Sequence, residues 1–333
     1  MRILIRPRFP VLALLLLAPT IPELLTGSTP ITELVLNPAA FAIAFLGIVG
    51  MYGGGALLIR EFAVAFHKGW ASILLLGAAY GIAEEGLAVH TFFEPAGQSP
   101  VGALGAYGHA FGVNWLWALG LTTFHAVYSI ALPILLTQLW FPEVKSVRWL
   151  DPGAVGLTAS AYLFVVGLFA FVVGHGPTPL LLAFFLAVEA LLVALAYVAP
   201  AGFLSVRAGP RRIGPWGLAL AGTLFFDGWA LVLVLSGSGR VPAEVAGAVL
   251  VLITLASLAL ILRRVGADDL DRSKFYFATG MLGVLFVWDV LVEFSVPGIL
   301  LVSALFAYLQ YRLYRTRLDP ARRKVPDGAS GSA

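Results

Sequence analysis

Cysteine is absent from this chain, which excludes disulfides, thiolate catalysis and cysteine-ligated zinc or iron–sulfur centres. Charge is scarce as well. Asp, Glu, Lys and Arg make up only 12% of the residues, about half the share of an ordinary soluble domain, and the net charge is +3. That composition excludes a cytoplasmic enzyme, a disordered tail protein and a nucleic-acid module. No P-loop, His-Glu-x-x-His, Gly-x-Ser-x-Gly or dinucleotide-binding fingerprint stands in a credible context.

What the chain has instead is apolar length. Of its 333 residues 60% are hydrophobic, too many for a soluble core to hide. Ten uninterrupted apolar stretches run Pro10–Leu25, Ala40–Ile59, Trp70–Phe93, Asn114–Phe141, Gly153–Val173, Pro179–Ala199, Trp216–Ser236, Pro242–Leu262, Phe275–Phe294 and Pro297–Tyr314. All but the first have the length of a membrane span. The expected fold is an all-α polytopic transmembrane helix bundle of about ten spans. Threading them alternately with the amino terminus inside puts 20 of the 21 Lys and Arg on the inner side and only Arg240 outside. Losing or gaining a middle span would scatter those charges over both faces, so both termini are expected in the cytoplasm and the protein in the cell membrane.

The first stretch has a second reading. Its basic start and short run from Phe9 to Ala18 have the proportions of a signal peptide, and cleavage would leave nine spans. Thr26–Asn37 reads as an outer loop or re-entrant piece, Pro95–Gly112 as an outer connection and Pro200–Pro215 as an inner one. Residues 1–318 are expected to form one membrane domain, and the polar, basic residues 319–333 a disordered cytoplasmic tail. No internal repeat is evident.

Ionisable groups at mid-span are costly, so they mark candidate sites. Glu84, Glu85, Glu189, Asp227 and Asp289, with His125, fall at similar depth, roughly 9–17 Å below the outer surface at about 1.5 Å per residue. They are read as a substrate- or ion-binding layer, or alternatively as protonated carboxyls joining helices. Glu85 continues a stripe with Gly77 and Gly81, where another helix can approach closely. Glu84 shares a face with Tyr80, whose phenol is placed to hydrogen-bond it. Thr122, His125 and Ser129 form a polar stripe on the fourth span, ahead of Pro133. Asp289 and Glu293, four apart, would repel if both were ionised, while Asp227 has Thr223 one turn back. Lesser signals are the glycines around Gly47 to Gly55, an interfacial Arg60–Glu61 ion pair, and Trp115, Trp117 and Trp149 as an aromatic belt. His90, Glu94 and His109 offer a weak metal-ligand set.

Two resemblances attach to these residues. Tyr52-Gly-Gly-Gly, Gly77-Ala-Ala-Tyr-Gly-Ile-Ala-Glu-Glu-Gly-Leu, Asn114-Trp and Thr123-Phe-His-Ala-Val-Tyr-Ser-Ile resemble a family of uncharacterised prokaryotic polytopic membrane proteins, which implies a multi-span fold and no activity. Glu84-Glu85 followed by His125 on the next span is similar to the CPBP/CAAX-protease superfamily of intramembrane enzymes. Val89 stands where that pattern has Arg, Leu121 where it has Phe, and His175 begins a loop sequence in place of the third motif. This second resemblance implies Glu84 or Glu85 activating a water with His125 as catalytic partner. The carboxylate layer itself suits a proton- or cation-coupled transporter, and a membrane scaffold is a third class. No cofactor or resident metal is expected. The partners expected are the lipid bilayer and protons or a cation, with no nucleic acid.

Overall fold

The computed structural model describes residues 8–94, 107–173, 176–204, 213–237, 240–264 and 270–319. His175 and the tail after Asp319 lie outside the described residues, as does most of the Pro95–Gly112 connection.

Each apolar stretch becomes a helical rod, because inside a bilayer the backbone must satisfy its own polar groups. Helix α1 (Arg8–Pro19) runs on through a π-helical turn, Thr20–Leu24. After the short α2 (Glu33–Leu36), α3 (Pro38–Ile48), a π-helical segment (Val49–Gly53) and α4 (Gly54–Ala65) form one 28-residue rod. Helix α5 (Trp70–Gly81) continues as π-helix over Ile82–Ala88. Helices α6 (Trp115–Phe124) and α7 (Leu132–Trp140) flank a π-helical segment, His125–Ala131. Single helices follow: α8 (Pro152–Val172), α9 (Pro179–Val198), α10 (Pro215–Gly237), α11 (Ala243–Arg264) and α12 (Leu270–Val292). The last rod, α13 (Ile299–Leu313), ends in a π-helical turn, Tyr314–Leu318. Among the described residues the one sheet is a two-residue hairpin, β1 (His109–Ala110) with β2 (Val113–Asn114), just ahead of α6.

Eight of these rods are long and apolar enough to cross a membrane. The α1 rod is shorter, and the α13 rod ends in Arg312, Arg315 and Arg317. The protein is an all-α, multi-pass helix bundle.

Neighbouring rods pack in the order that alternating passage requires. Gly77 and Gly81 of α5 meet Ala126 and Thr122 on the α6 rod, Ser72 and Gly69 meet Ala196 and Ala201, and Gly54 and Gly47 meet Thr158 and Phe169 of α8. In each pair the numbers run in opposite senses, so the helices are antiparallel. The contacts Asp289–Ser303, Thr279–Gln310 and Tyr276–Tyr314 pair α12 with α13 in the same way. The first helix is a packed part of this core: Leu14, Ala18, Ile21 and Leu25 are fully buried. Helix α8 has no buried residue and turns most of its surface outward.

One end of the bundle gathers cations. Arg60 at the end of α4 is fully buried, with its guanidinium 3.6 Å from the Trp149 ring centroid. It donates to Glu61 and to the carbonyls of Val144, Lys145 and Val147 at 3.1, 3.1 and 2.6 Å. Glu61 in turn accepts from the Trp149 and Leu150 backbone N–H groups at 3.0 and 3.4 Å. This pair is therefore a buried clamp that holds the α7–α8 loop, not an interfacial ion pair. Trp149 is its buried lid and no member of an aromatic belt. Removing one partner strands the other's charge. Glu61→Ala is expected to cost about 3 kcal/mol or more of stability, read as a lower thermal midpoint in detergent, with Lys145→Ala, in a half-exposed pair, nearly neutral.

Candidate functional site

Of the five π-helical segments among the described residues, four meet at one place, and each brings polar side chains there. They supply Glu23, Tyr52, the pair Glu84 and Glu85, and His125 with Ser129. Local sequence accounts for much of this. Pro133 has no N–H to return to the carbonyl of Ser129, and Pro22 makes the same gap in the first helix, so an α-helical ladder cannot run through either point. A π-helical turn carries one residue more than an α-turn, and such insertions recur at functional sites.

His125 is the centre. Its Nε2 lies 2.9 Å from Glu85 Oε1, and its Nδ1 lies 2.8 Å from Ser129 Oγ and 3.1 Å from Glu84 Oε2. The Nδ1 bond has good geometry toward Ser129, while the Glu84 contact is an off-line ionic one. Glu84, Glu85 and His125 are only 2%, 9% and 2% exposed, so no bulk water screens them. The second Glu85 oxygen accepts from Thr91 Oγ1, which in turn accepts from Trp117 Nε1 at 3.2 Å. Trp117 thereby supports the site. On the other side Tyr52 Oη donates to Glu23 Oε1 at 2.6 Å and Thr29 Oγ1 to Glu23 Oε2 at 2.7 Å. Glu23 is near enough to act electrostatically on both Glu84 and His125. The Tyr52 and Tyr80 rings close the site at 6.0 and 6.1 Å from the imidazole. The Tyr80 hydroxyl lies beside Glu84 but makes no well-formed hydrogen bond to it.

Close helix approach makes this possible. A Cβ on Gly77 would stand 2.8 Å from Ala126 Cα, and one on Gly81 3.0 Å from Thr122 Cα and 3.1 Å from His125 Cβ. Glycine at these positions lets α5 and the α6 rod touch, which carries Glu85 to the imidazole.

The remaining carboxyls of the expected layer lie elsewhere. Asp289 is fully buried in the α12–α13 contact, where it accepts from Ser303 Oγ. Glu293, whose oxygens accept from the backbone N–H groups of Gly298 and Leu300 at 2.9 and 3.0 Å, is still near enough to act electrostatically on it, as the four-residue spacing predicts. Asp227 is exposed on α10, two residues beyond the buried Phe225, and acts electrostatically on Tyr128 without reaching the trio. Thr223 donates to Gly280 O at 3.1 Å and not to Asp227. Glu189 is half-buried on α9, close enough to Tyr162 to act on it electrostatically. Equal depth is thus shared by separate faces, and the six-residue layer reduces to one trio. Among the described residues Glu84, Glu85 and His125 form the one group spaced to hold a metal ion, and His90, Glu94 and His109 do not converge.

Glu23 and Tyr52 were missed by sequence reasoning. Glu23 sits after Pro22 at the end of a segment that also reads as a signal peptide, and nothing in its spacing ties it to residues sixty positions on. The one available signal was a carboxyl next to a helix-breaking proline.

A family described as an uncharacterized membrane protein family matches residues 12–326, nearly the whole chain, and the chain belongs to it. No curated protein and no solved structure matches. The protein is thus a multi-pass membrane protein.

The helix contact that builds the site is testable. Gly77→Val is expected to cost about 1–3 kcal/mol by overpacking against Ala126, seen as a lower thermal midpoint. Gly156→Val, at a position with open space around its Cβ, is expected to leave the midpoint unchanged.

Proposed function

We propose that this member of the family is a membrane transporter coupled to protons or another cation, with Glu84, Glu85 and His125 as its coupling site and the cation-rich end of the bundle toward the cytoplasm. One observation carries this reading: ligand atoms of all three residues lie within 4.8 Å of one another, in a buried setting. Glu23 adds a third carboxyl to a site with one imidazole. An imidazolium compensates one carboxylate, and the others need protons or a bound cation, since an uncompensated buried charge is prohibitively costly. A site of that balance takes up and gives off cations as its exposure changes, which is what coupling requires. Its place on four irregular helical segments fits too, because transporter sites favour spans whose regular hydrogen-bond ladder is interrupted. The inward orientation rests on the 20-to-1 distribution of Lys and Arg in the threaded sequence.

A second reading, an intramembrane hydrolase, is favoured by the 2.9 Å contact between Glu85 and His125 on consecutive spans. In it the Glu85–His125 pair takes a proton from an attacking water. Asp289, Asp227 and Glu189 lie outside the trio in either reading.

Protein reconstituted in liposomes with a trapped pH dye separates these readings. Transport predicts that added Mn²⁺ or Zn²⁺ drives proton movement in the wild type and in Asp289→Asn, but not in Glu85→Gln or His125→Ala. Absence of cation-linked flux, together with cleavage of a labelled membrane-spanning peptide that Glu85→Gln abolishes, would replace transport by hydrolysis. Absence of both leaves a structural role.

A further inference from the structure

At the cation-rich end of the bundle, away from the trio, two cavities adjoin. One, about 400 Å³, is the more polar of the two: His67, Lys68, Lys145, Lys274, Gln138 and Asp271 face it beside apolar side chains. The other, about 210 Å³, is a nearly pure apolar groove between Leu132, Phe225, Leu258, Phe277 and Met281. Trp70, Leu135 and Lys274 line both, so the two form one continuous amphipathic recess.

The charges in the polar part do not cancel. Arg60 is already matched by Glu61. Lys145 Nζ lies 3.3 Å from Asp271 Oδ2, which uses the one carboxylate facing the cavity. Lys68 Nζ donates to the Ala199 carbonyl at 3.3 Å and keeps its charge. Lys274 is half-buried at the junction, 5.1 Å from the Trp70 ring centroid, with no hydrogen bond or ion pair to any described residue. A half-buried ammonium against a ring face, sharing the field of one carboxylate with a second cation that already pairs with it, is short of negative charge. Three lysines against one aspartate leave an excess of two positive charges at the mouth of an apolar groove.

We propose that this recess binds an anionic membrane lipid, its phosphate between Lys274, Lys68 and Lys145 and one acyl chain in the groove lined by Leu258 and Met281. Charge complementarity selects the headgroup, and the adjoining apolar groove selects a phosphate that carries a hydrocarbon chain over a free one. Basic pockets between spans at the cytoplasmic face recognise anionic lipids on this principle. The recess is independent of the Glu84–Glu85–His125 site, so either assignment stands if the other fails.

The test uses delipidated full-length protein in a neutral detergent, with thermal midpoint and native mass spectrometry as readouts. The probes are dioleoyl phosphatidic acid, dioleoyl phosphatidylcholine and inorganic phosphate. The expected result is saturable stabilisation and a bound adduct with phosphatidic acid, little effect from phosphatidylcholine, and weak, chain-independent binding of inorganic phosphate. Lys274→Met is expected to weaken phosphatidic acid binding about tenfold. Leu258→Trp, which fills the groove, is expected to weaken the lipid while leaving inorganic phosphate unchanged. Should Lys274→Met fail to fold, Lys145→Gln on the exposed rim carries the same expectation with a smaller loss. Equal stabilisation by both lipids, or phosphatidic acid binding indifferent to the lysine variants, overturns the proposal. Inorganic phosphate binding as tightly as the lipid, with Leu258→Trp silent, overturns its lipid part.

Discussion

Two buried carboxyl groups share one imidazole, with a third, half-buried one close enough to act on it, and much of the bundle is arranged to make that tolerable. Without His125, Glu84 and Glu85 would lie side by side in apolar surroundings with no counter-charge. With it, one ion pair forms, Ser129 and Thr91 take up remaining hydrogen-bond capacity, and Tyr52 ties Glu23 to the same place. The glycines of α5 let the two carrying helices touch, and the π-helical segments turn the side chains inward. The buried Arg60–Glu61 clamp, by contrast, pairs its two charges directly and bonds both to the α7–α8 loop. One ionic cluster is closed and structural; the other is left short of positive charge.

That contrast also separates the two ends of the molecule. Toward one end the carboxyl groups are in excess, toward the other the lysines are. Both imbalances matter because each group is partly or wholly removed from water, where screening would make the difference trivial.

The fold was largely legible in the sequence because hydrophobic length is a strong signal and the backbone in a membrane has few alternatives. Every apolar stretch is helical, and alternating threading agrees with each antiparallel contact. The Gly77–Gly81 stripe and the Thr122–His125–Ser129 stripe also pointed to the helix pair that forms the site. What sequence could not carry was rotation. Depth along a helix can be counted, but which way Asp227 or Asp289 faces depends on its neighbours, and a π-helical insertion shifts every later residue by about 100°. Glu23 shows the same limit: a carboxyl on the first rod joins residues on the third only through tertiary packing. Arg60, Glu61 and Trp149 were placed at an interface because charge and aromatic rings usually belong there, whereas here they satisfy one another in the interior.

Infrared difference spectroscopy of the carboxyl C=O stretch, across pH 5–9 with and without added Mn²⁺, tests the central claim most directly. The wild type is compared with Glu23→Gln, Glu84→Gln and Glu85→Gln, and with Asp289→Asn as a buried carboxyl outside the site. Shared charge around His125 predicts a carboxyl band that responds to pH and to the cation in the wild type and in Asp289→Asn, and that is altered by each of the three glutamate substitutions. A spectrum in which no band moves, or in which the moving band is unaffected by all three, would contradict it.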